Sequence, residues 1–249
     1  MENLTKSIRK AGPKVSIPVV CFIPCCKAKN DTGKTVTSYF QPDVELEQLF
    51  CRLKSARQGM VGCVETASKI TSALYLYTGH FYSIIGLKSA VVRLIRAGQM
   101  RLFIISAGYG LLDAFEPIQK YEAMMSSRTA RYWRDVGLTE IIADVCAQLK
   151  PEQVYGFFAG VPEWKGTLAK YRYFFTSGVQ QALGKGWVPA QAGCFYRRKG
   201  RGVTSIMKAL GMSLYELLNS GFQDAFLQDV KLNGFCWNNV KIAYDEMLR

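Results

Sequence analysis

Two apolar runs with the same kind of ending constrain this chain more than any other feature. One is Val19-Val20-Cys21-Phe22-Ile23-Pro24, which breaks into Cys25-Cys26-Lys27-Ala28-Lys29-Asn30-Asp31. The other is Leu102-Phe103-Ile104-Ile105, which breaks into Ser106-Ala107-Gly108-Tyr109-Gly110-Leu111-Leu112-Asp113. Short apolar runs bounded by small and polar residues read as buried strands. In an open α/β sheet, the loops that leave the carboxyl ends of such strands are where ligands bind. The expected site is therefore the edge that carries Cys25–Asp31 and Ser106–Asp113.

The remaining periodicity supports an α/β fold. Strands are expected at Ile17–Ile23, Leu102–Ser106 and Gln153–Phe158, with a polar loop over Pro24–Thr37. Helical spacing covers Glu45–Leu53, Cys63–Leu76 (Ala67, Ile70, Ala73 and Leu74 on one side), Tyr82–Ala97, Ser127–Trp133, Leu138–Leu149 and Thr167–Leu183. Gly98 is placed to stop the third of these. Strands alternating with helices predict a three-layer α/β/α arrangement around a central, mostly parallel sheet. That domain is expected over residues 1–185, with residues 1–16 as a basic arm. Residues 186–249 are expected to form a basic loop and a C-terminal helical cap. Within it, Val203–Leu210, a turn at Gly211-Met212 and Ser213–Asn219 resemble a helix-turn-helix, with Ser213 as N-cap and Gly221 as stop.

Charge narrows the partners. The chain of 249 residues carries 32 Lys and Arg against 19 Asp and Glu, a net charge of +13. The surplus is spread along the sequence, which suggests a folded body with a basic face rather than a basic tail. Such a face fits nucleic acid first and an anionic membrane second. Eight cysteines include no C-x-x-C pair, and His80 is the single histidine, so neither a zinc site nor an iron–sulfur cluster is expected. Scattered cysteines in apolar settings point to reduced thiols and a cytosolic chain. No apolar run is long enough to cross a membrane, and residues 1–13 lack a signal-peptide core.

Four clusters could carry chemistry. Cys25, Lys27 and Lys29 stand at a strand end suited to an anion; the plainer reading is a solvated loop. The second loop offers Ser106, Tyr109 and Gly110, then Asp113 and Glu116, with Tyr121 nearby. Paired carboxylates beside an aromatic suit general-base work or an oxocarbenium-like sugar; alternatively Asp113 caps a turn and Glu116 is a surface charge. Tyr75 and Tyr77 lie in an aromatic stretch, Tyr75–Tyr82, that could stack bases or simply pack. Arg197, Arg198, Lys199 and Arg201 could hold phosphates, with Gly200 and Gly202 opening the backbone to them.

These motifs together resemble a known group. Ile23-Pro24-Cys25-Cys26-Lys27-Ala28-Lys29, Leu74-Tyr75-Leu76-Tyr77-Thr78-Gly79-His80-Phe81, Ile105–Leu112 and Tyr121 are similar to the CSKxK … LYxGxxF … SAxYGLL pattern of YaaA-related bacterial and phage proteins. The resemblance covers about residues 17–160. Cys26 departs from it, standing where the pattern often has serine. It implies a DNA-associated protein linked to oxidative stress. It implies more remotely a uracil-DNA-glycosylase-like fold, shared with phage-defence glycosylases of modified bases. On that basis the expected activity is a DNA glycosylase acting on a flipped-out modified or damaged base. Asp113, Glu116 or Asp31 would steady the sugar and orient water. Tyr109, with Tyr75 or Tyr77, would stack on the base. Lys27, Lys29 and Arg197–Arg201 would hold phosphates, and no metal or organic cofactor is required. The alternatives are a non-catalytic DNA-binding stress protein and a nucleobase-modifying transferase.

Overall fold

The computed structural model describes residues 18–36, 44–160 and 167–248. The expected basic arm at 1–16 falls outside them. Among these described residues the strands are β1 (Val19–Pro24), β2 (Thr71–Ser72), β3 (Met100–Ser106), β4 (Gly110–Asp113), β5 (Pro117–Ile118), β6 (Gln153–Phe157), β7 (Gln191–Lys199), β8 (Phe235–Trp237) and β9 (Val240–Glu246). The α-helices among them are α1 (Val44–Gln58), α2 (Ala73–Leu76), α3 (Leu87–Arg96), α4 (Ser127–Asp135), α5 (Leu138–Leu149), α6 (Thr167–Gly184), α7 (Val203–Asn219) and α8 (Asp224–Asn233). Among the described residues, no helix is long and apolar enough to cross a membrane.

Seven strands form one mixed sheet in the order β4-β3-β1-β6-β7-β9-β8. Its centre, β3-β1-β6-β7, is parallel. The flanks β4, β9 and β8 pair antiparallel. Strand β1 is buried along its whole length, as a strand paired and covered on both faces must be. From β1 the chain moves to β3 on one side. It then crosses to β6 on the other side and continues outward to β7. That reversal makes the carboxyl ends of β1 and β6 a topological switch point, the position at which open α/β sheets bind ligands. Helix α5 packs against α6, α1 and α4, and α3 packs against α7.

The C-terminal third departs from the expected helical cap. Residues 191–246 contribute three strands to the same sheet. The alternation Val240-Lys241-Ile242, buried and half-buried in turn, is a strand's period of two. The expected turn at Gly211 is also absent: α7 runs unbroken through it. A Cβ on Gly211 would lie 2.4 Å from the Phe81 carbonyl oxygen, so the glycine lets the helix pass close to another backbone. Ser213 caps nothing. It is buried mid-helix, and its hydroxyl donates to the Leu210 carbonyl.

Two other expected helices shorten. The stretch from Cys63 becomes turns, strand β2 and the single turn α2, with Ala67 and Ile70 exposed. Thr71 and Ser72 pair instead with Ile118 and Pro117. The expected helix from Tyr82 begins only at Leu87, after Gly86, whose φ of +83° stops helical propagation backwards. Residues 79–86 are freed to shape the sheet edge.

Candidate functional site

The ends of β1 and β3 meet a closely bonded group of hydroxyls. Ser106 ends β3, and its Oγ lies 2.8 Å from the Tyr121 phenol oxygen. That oxygen lies 2.7 Å from the Tyr77 hydroxyl, which also donates to Ser106 at 3.4 Å. The Gly108 and Tyr109 amides donate to Ser106 Oγ as well. On the neighbouring strand end, Cys25 Sγ lies 3.2 Å from the Tyr171 hydroxyl of α6. Tyr82 donates to the Pro24 carbonyl at 2.7 Å. Burial holds the phenols of Tyr77, Tyr82, Tyr121 and Tyr171 well above their usual pKa. They are neutral donors and acceptors at every ordinary pH, not bases.

The glycines of the motifs serve this packing. A Cβ on Gly108 would meet the Tyr121 ring at 2.4 Å, and one on Gly110 the Trp133 ring at 2.7 Å. A Cβ on Gly79 would lie 2.9 Å from Cys26. Cys26, expected to depart from a pattern that often has serine there, both donates and accepts hydrogen bonds as a hydroxyl would. Its thiol donates to the Ala28 carbonyl and accepts from the Gly79 amide. Burial pushes that thiol up to about 11. Backbone bonds from Asn30 to Leu76 and from Thr78 to Ala28 fasten the first loop to the Tyr75–Tyr77 segment.

Cations surround this edge. Lys29 Nζ lies 4.2 Å from the Tyr121 ring centroid and Lys34 Nζ 4.0 Å from that of Tyr75. Lys27 is exposed beside them. Strand β7 outruns β6, whose last residue Phe157 pairs with Phe195. Tyr196–Lys199 therefore project about 13 Å beyond that pairing. The expected basic loop is thus mostly strand, with Arg198, Lys199 and Arg201 exposed on the same edge as Cys25–Asp31. His80 is exposed and bonds Thr204, in the first turn of α7, at 3.0 Å.

The carboxylates do not join the hydroxyl group. Asp113 pairs with Phe103 across the β3–β4 ladder, three residues before Ser106, or about 10 Å down the strand. It forms an ion pair with Arg101 at 2.9 Å and accepts from the Phe115 amide, the turn cap of the plainer reading. Glu116 pairs with Arg57 of α1. Burial pushes its carboxyl up, against the pull of Arg57. Arg57 also donates to the Tyr109 and Leu111 carbonyls and lies over the Tyr109 ring. Tyr109 itself bonds Gln119 and packs edge-on against Tyr121, so its face is partly occupied. Asp31, half-buried on the first loop, accepts only a 3.3 Å bond from the Lys69 amide among the described residues.

With the arrangement laid out, one comparison bears on it. Residues 29–150 are similar to the family described as peroxide stress protein YaaA. The likeness spans just under half of the chain. It takes in the Tyr75–Tyr82 segment, the Ser106–Asp113 hairpin and Tyr121, and leaves out Cys25 and the basic end of β7. A search of curated proteins finds no match. The stretch similar to peroxide stress protein YaaA thus holds the Ser106–Tyr77–Tyr121 group, while Tyr171 and Arg197–Arg201 come from the rest.

Three residues of this edge carry no signal in the sequence: Arg57, Lys88 and Tyr171. Lys88, at the start of α3, donates to the Tyr77 carbonyl at 2.7 Å. Burial, reinforced by Lys34 and opposed by Cys26, lowers its ammonium to about 8 from 10.5. The unfolded chain thus binds this proton more tightly. The charge destabilises the fold below about pH 8, and the cost fades as pH rises toward 10.5. Lys88→Met is expected to raise the unfolding midpoint at neutral pH, with the gain shrinking above about pH 8; urea titrations across that range measure it.

Proposed function

We propose that this chain is a DNA-binding protein of the peroxide-stress group that receives an unstacked nucleobase at the carboxyl edge of β1 and β3. One observation carries this reading. Lys29, Lys34 and Lys88 stand beside tyrosine rings at that edge, with Lys27 exposed on the same loop, and none of the four has a carboxylate partner among the described residues. Unpaired cations beside aromatic rings are what single-stranded or flipped nucleotides require, since phosphate and base are held by different groups. The basic end of β7 extends the same edge and supplies further phosphate contacts.

Glycosidic cleavage is the second reading, and Asp31 favours it. Asp113 and Glu116 are each committed to an arginine, whereas Asp31 has no cationic partner among the described residues and lies on the ligand-facing loop. A carboxylate there would steady a cationic sugar and orient water, while the Cys25 and Ser106 strand ends met the leaving base. A nucleobase transferase would hold its base at the same edge and would need an acceptor as well.

Binding and cleavage are measured in one experiment. Fluorescence anisotropy of labelled oligonucleotides against salt is expected to give a steep negative slope. Replacing Arg198, Lys199 and Arg201 by Gln should make that slope shallower by about 2–3. Binding that ignores salt would sink the reading. Assay of the same samples for alkali-labile sites, on damaged and modified bases, separates the two readings. Cleavage lost in Asp31→Asn but kept in Asp113→Asn would mark a glycosylase; tight binding without abasic sites would mark a binding protein.

A further inference from the structure

Lys88 is a half-buried cation with no carboxylate partner among the described residues. Its Nζ is half-buried and has three protons to donate, of which the Tyr77 carbonyl takes one. The other groups facing it are the Tyr75 and Tyr82 rings, each with its centroid 5.8 Å away, the Cys26 thiol and the Lys34 ammonium. Among the described residues, none is a carboxylate. Lys34, from the first loop, stands over the same Tyr75 ring. The ring faces offset part of the burial of these charges but neutralise neither. Lys88 is also the second residue of α3, so the positive end of the helix dipole adds to the same potential rather than cancelling it.

We propose that Lys34 and Lys88, whose ammonium groups lie 4.0 and 5.8 Å from the centroid of the one Tyr75 ring, form a phosphate subsite beside that ring. Two cations and a helix N-terminus match a doubly charged tetrahedral anion better than a single carboxylate. Bound phosphate would supply the counter-charge that no described residue supplies and would take up the remaining Lys88 protons in charge-assisted hydrogen bonds. A free phosphate ester and a phosphodiester of DNA offer the same oxygens. The subsite therefore stands whether or not the protein binds DNA.

Amine labelling with trinitrobenzenesulfonate near pH 8, where Lys88 is partly unprotonated, followed by peptide mass mapping, tests this on the intact protein. Lys88 is expected to label readily in chloride. Inorganic phosphate at equal ionic strength should slow it about tenfold, one charge-assisted bond's worth. Lys34→Met should abolish most of that protection. Lys34 is exposed, so its loss leaves the fold intact, and the readout sits on the native Lys88. Equal labelling in phosphate and chloride would overturn the proposal, as would full protection in Lys34→Met. Two further arms identify the source once phosphate protects. Protection by a nucleoside 5′-monophosphate but not by an oligonucleotide lacking terminal phosphates assigns a free ester; protection by both assigns the nucleic-acid backbone as well. An oligonucleotide that binds tightly while Lys88 labels as fast as in chloride, with phosphate equally inert, would remove the subsite and leave the DNA-binding reading standing.

Discussion

Arg57→Ala is expected to destabilise the protein by about 3 kcal/mol, the lower end of what breaking a buried ion pair costs. The pair is not fully enclosed: the Arg57 and Glu116 side chains are 17% and 21% exposed, which places the loss at that end. For a chain of this size it corresponds to a fall in Tm of roughly 6–12 °C. Two effects contribute. Glu116 would keep a buried carboxylate without its partner, and the Tyr109 and Leu111 carbonyls would lose a charged donor. The double variant Arg57→Ala/Glu116→Gln separates them. Denaturant unfolding should show it recovering a good part of the loss, because the orphaned charge is gone. A double variant as unstable as the single would locate the whole effect in the carbonyl contacts. Either way the pair holds the hairpin in shape, which is why Glu116 makes a poor candidate for a catalytic acid or base.

The same pairing shows what the sequence could reveal. Buried parallel strands were legible because they are continuous apolar runs, and β1, β3 and β6 appear within two residues of their expected bounds. The edge that carries the candidate site followed from them. Glu116 looked functional because its partner is distant: Arg57 lies 59 residues before it and acts from another helix. Tyr171 is invisible to local reading for the same reason, 146 residues from Cys25. Gly211 misled in the opposite sense. A helix glycine reads as a break, whereas here it answers a close approach by Phe81 that only the tertiary structure creates. The short β8–β9 hairpin went unread because three and seven residues give too few periods to outweigh the helical texture before them.

Trp133→Ala is expected to have the largest effect of any single replacement at this edge, about 3–5 kcal/mol. Trp133 is fully buried on α4. Its indole Nε1 donates to the Ala107 carbonyl at 2.8 Å, and its ring occupies the space that a side chain at position 110 would need. Gly110 has a φ of +72°, so no other residue could fill the vacancy from that side without strain. The hairpin thus rests on Arg57 from α1 at one point and on Trp133 from α4 at another. It presents the amides of Gly108 and Tyr109 to Ser106, and through Ser106 it positions Tyr121 and Tyr77. Removing the indole should therefore loosen the hydroxyl group as well as the core. Near-ultraviolet circular dichroism from the tyrosines is expected to weaken at temperatures where the far-ultraviolet signal is still native. Trp133→Phe provides the contrast. It keeps most of the packing, loses the bond to Ala107 and should cost about 1–3 kcal/mol. If Trp133→Ala unfolded with native tyrosine signals persisting to the same midpoint as the helices, the hairpin would be supported from elsewhere and the link from α4 to the hydroxyl group would fail.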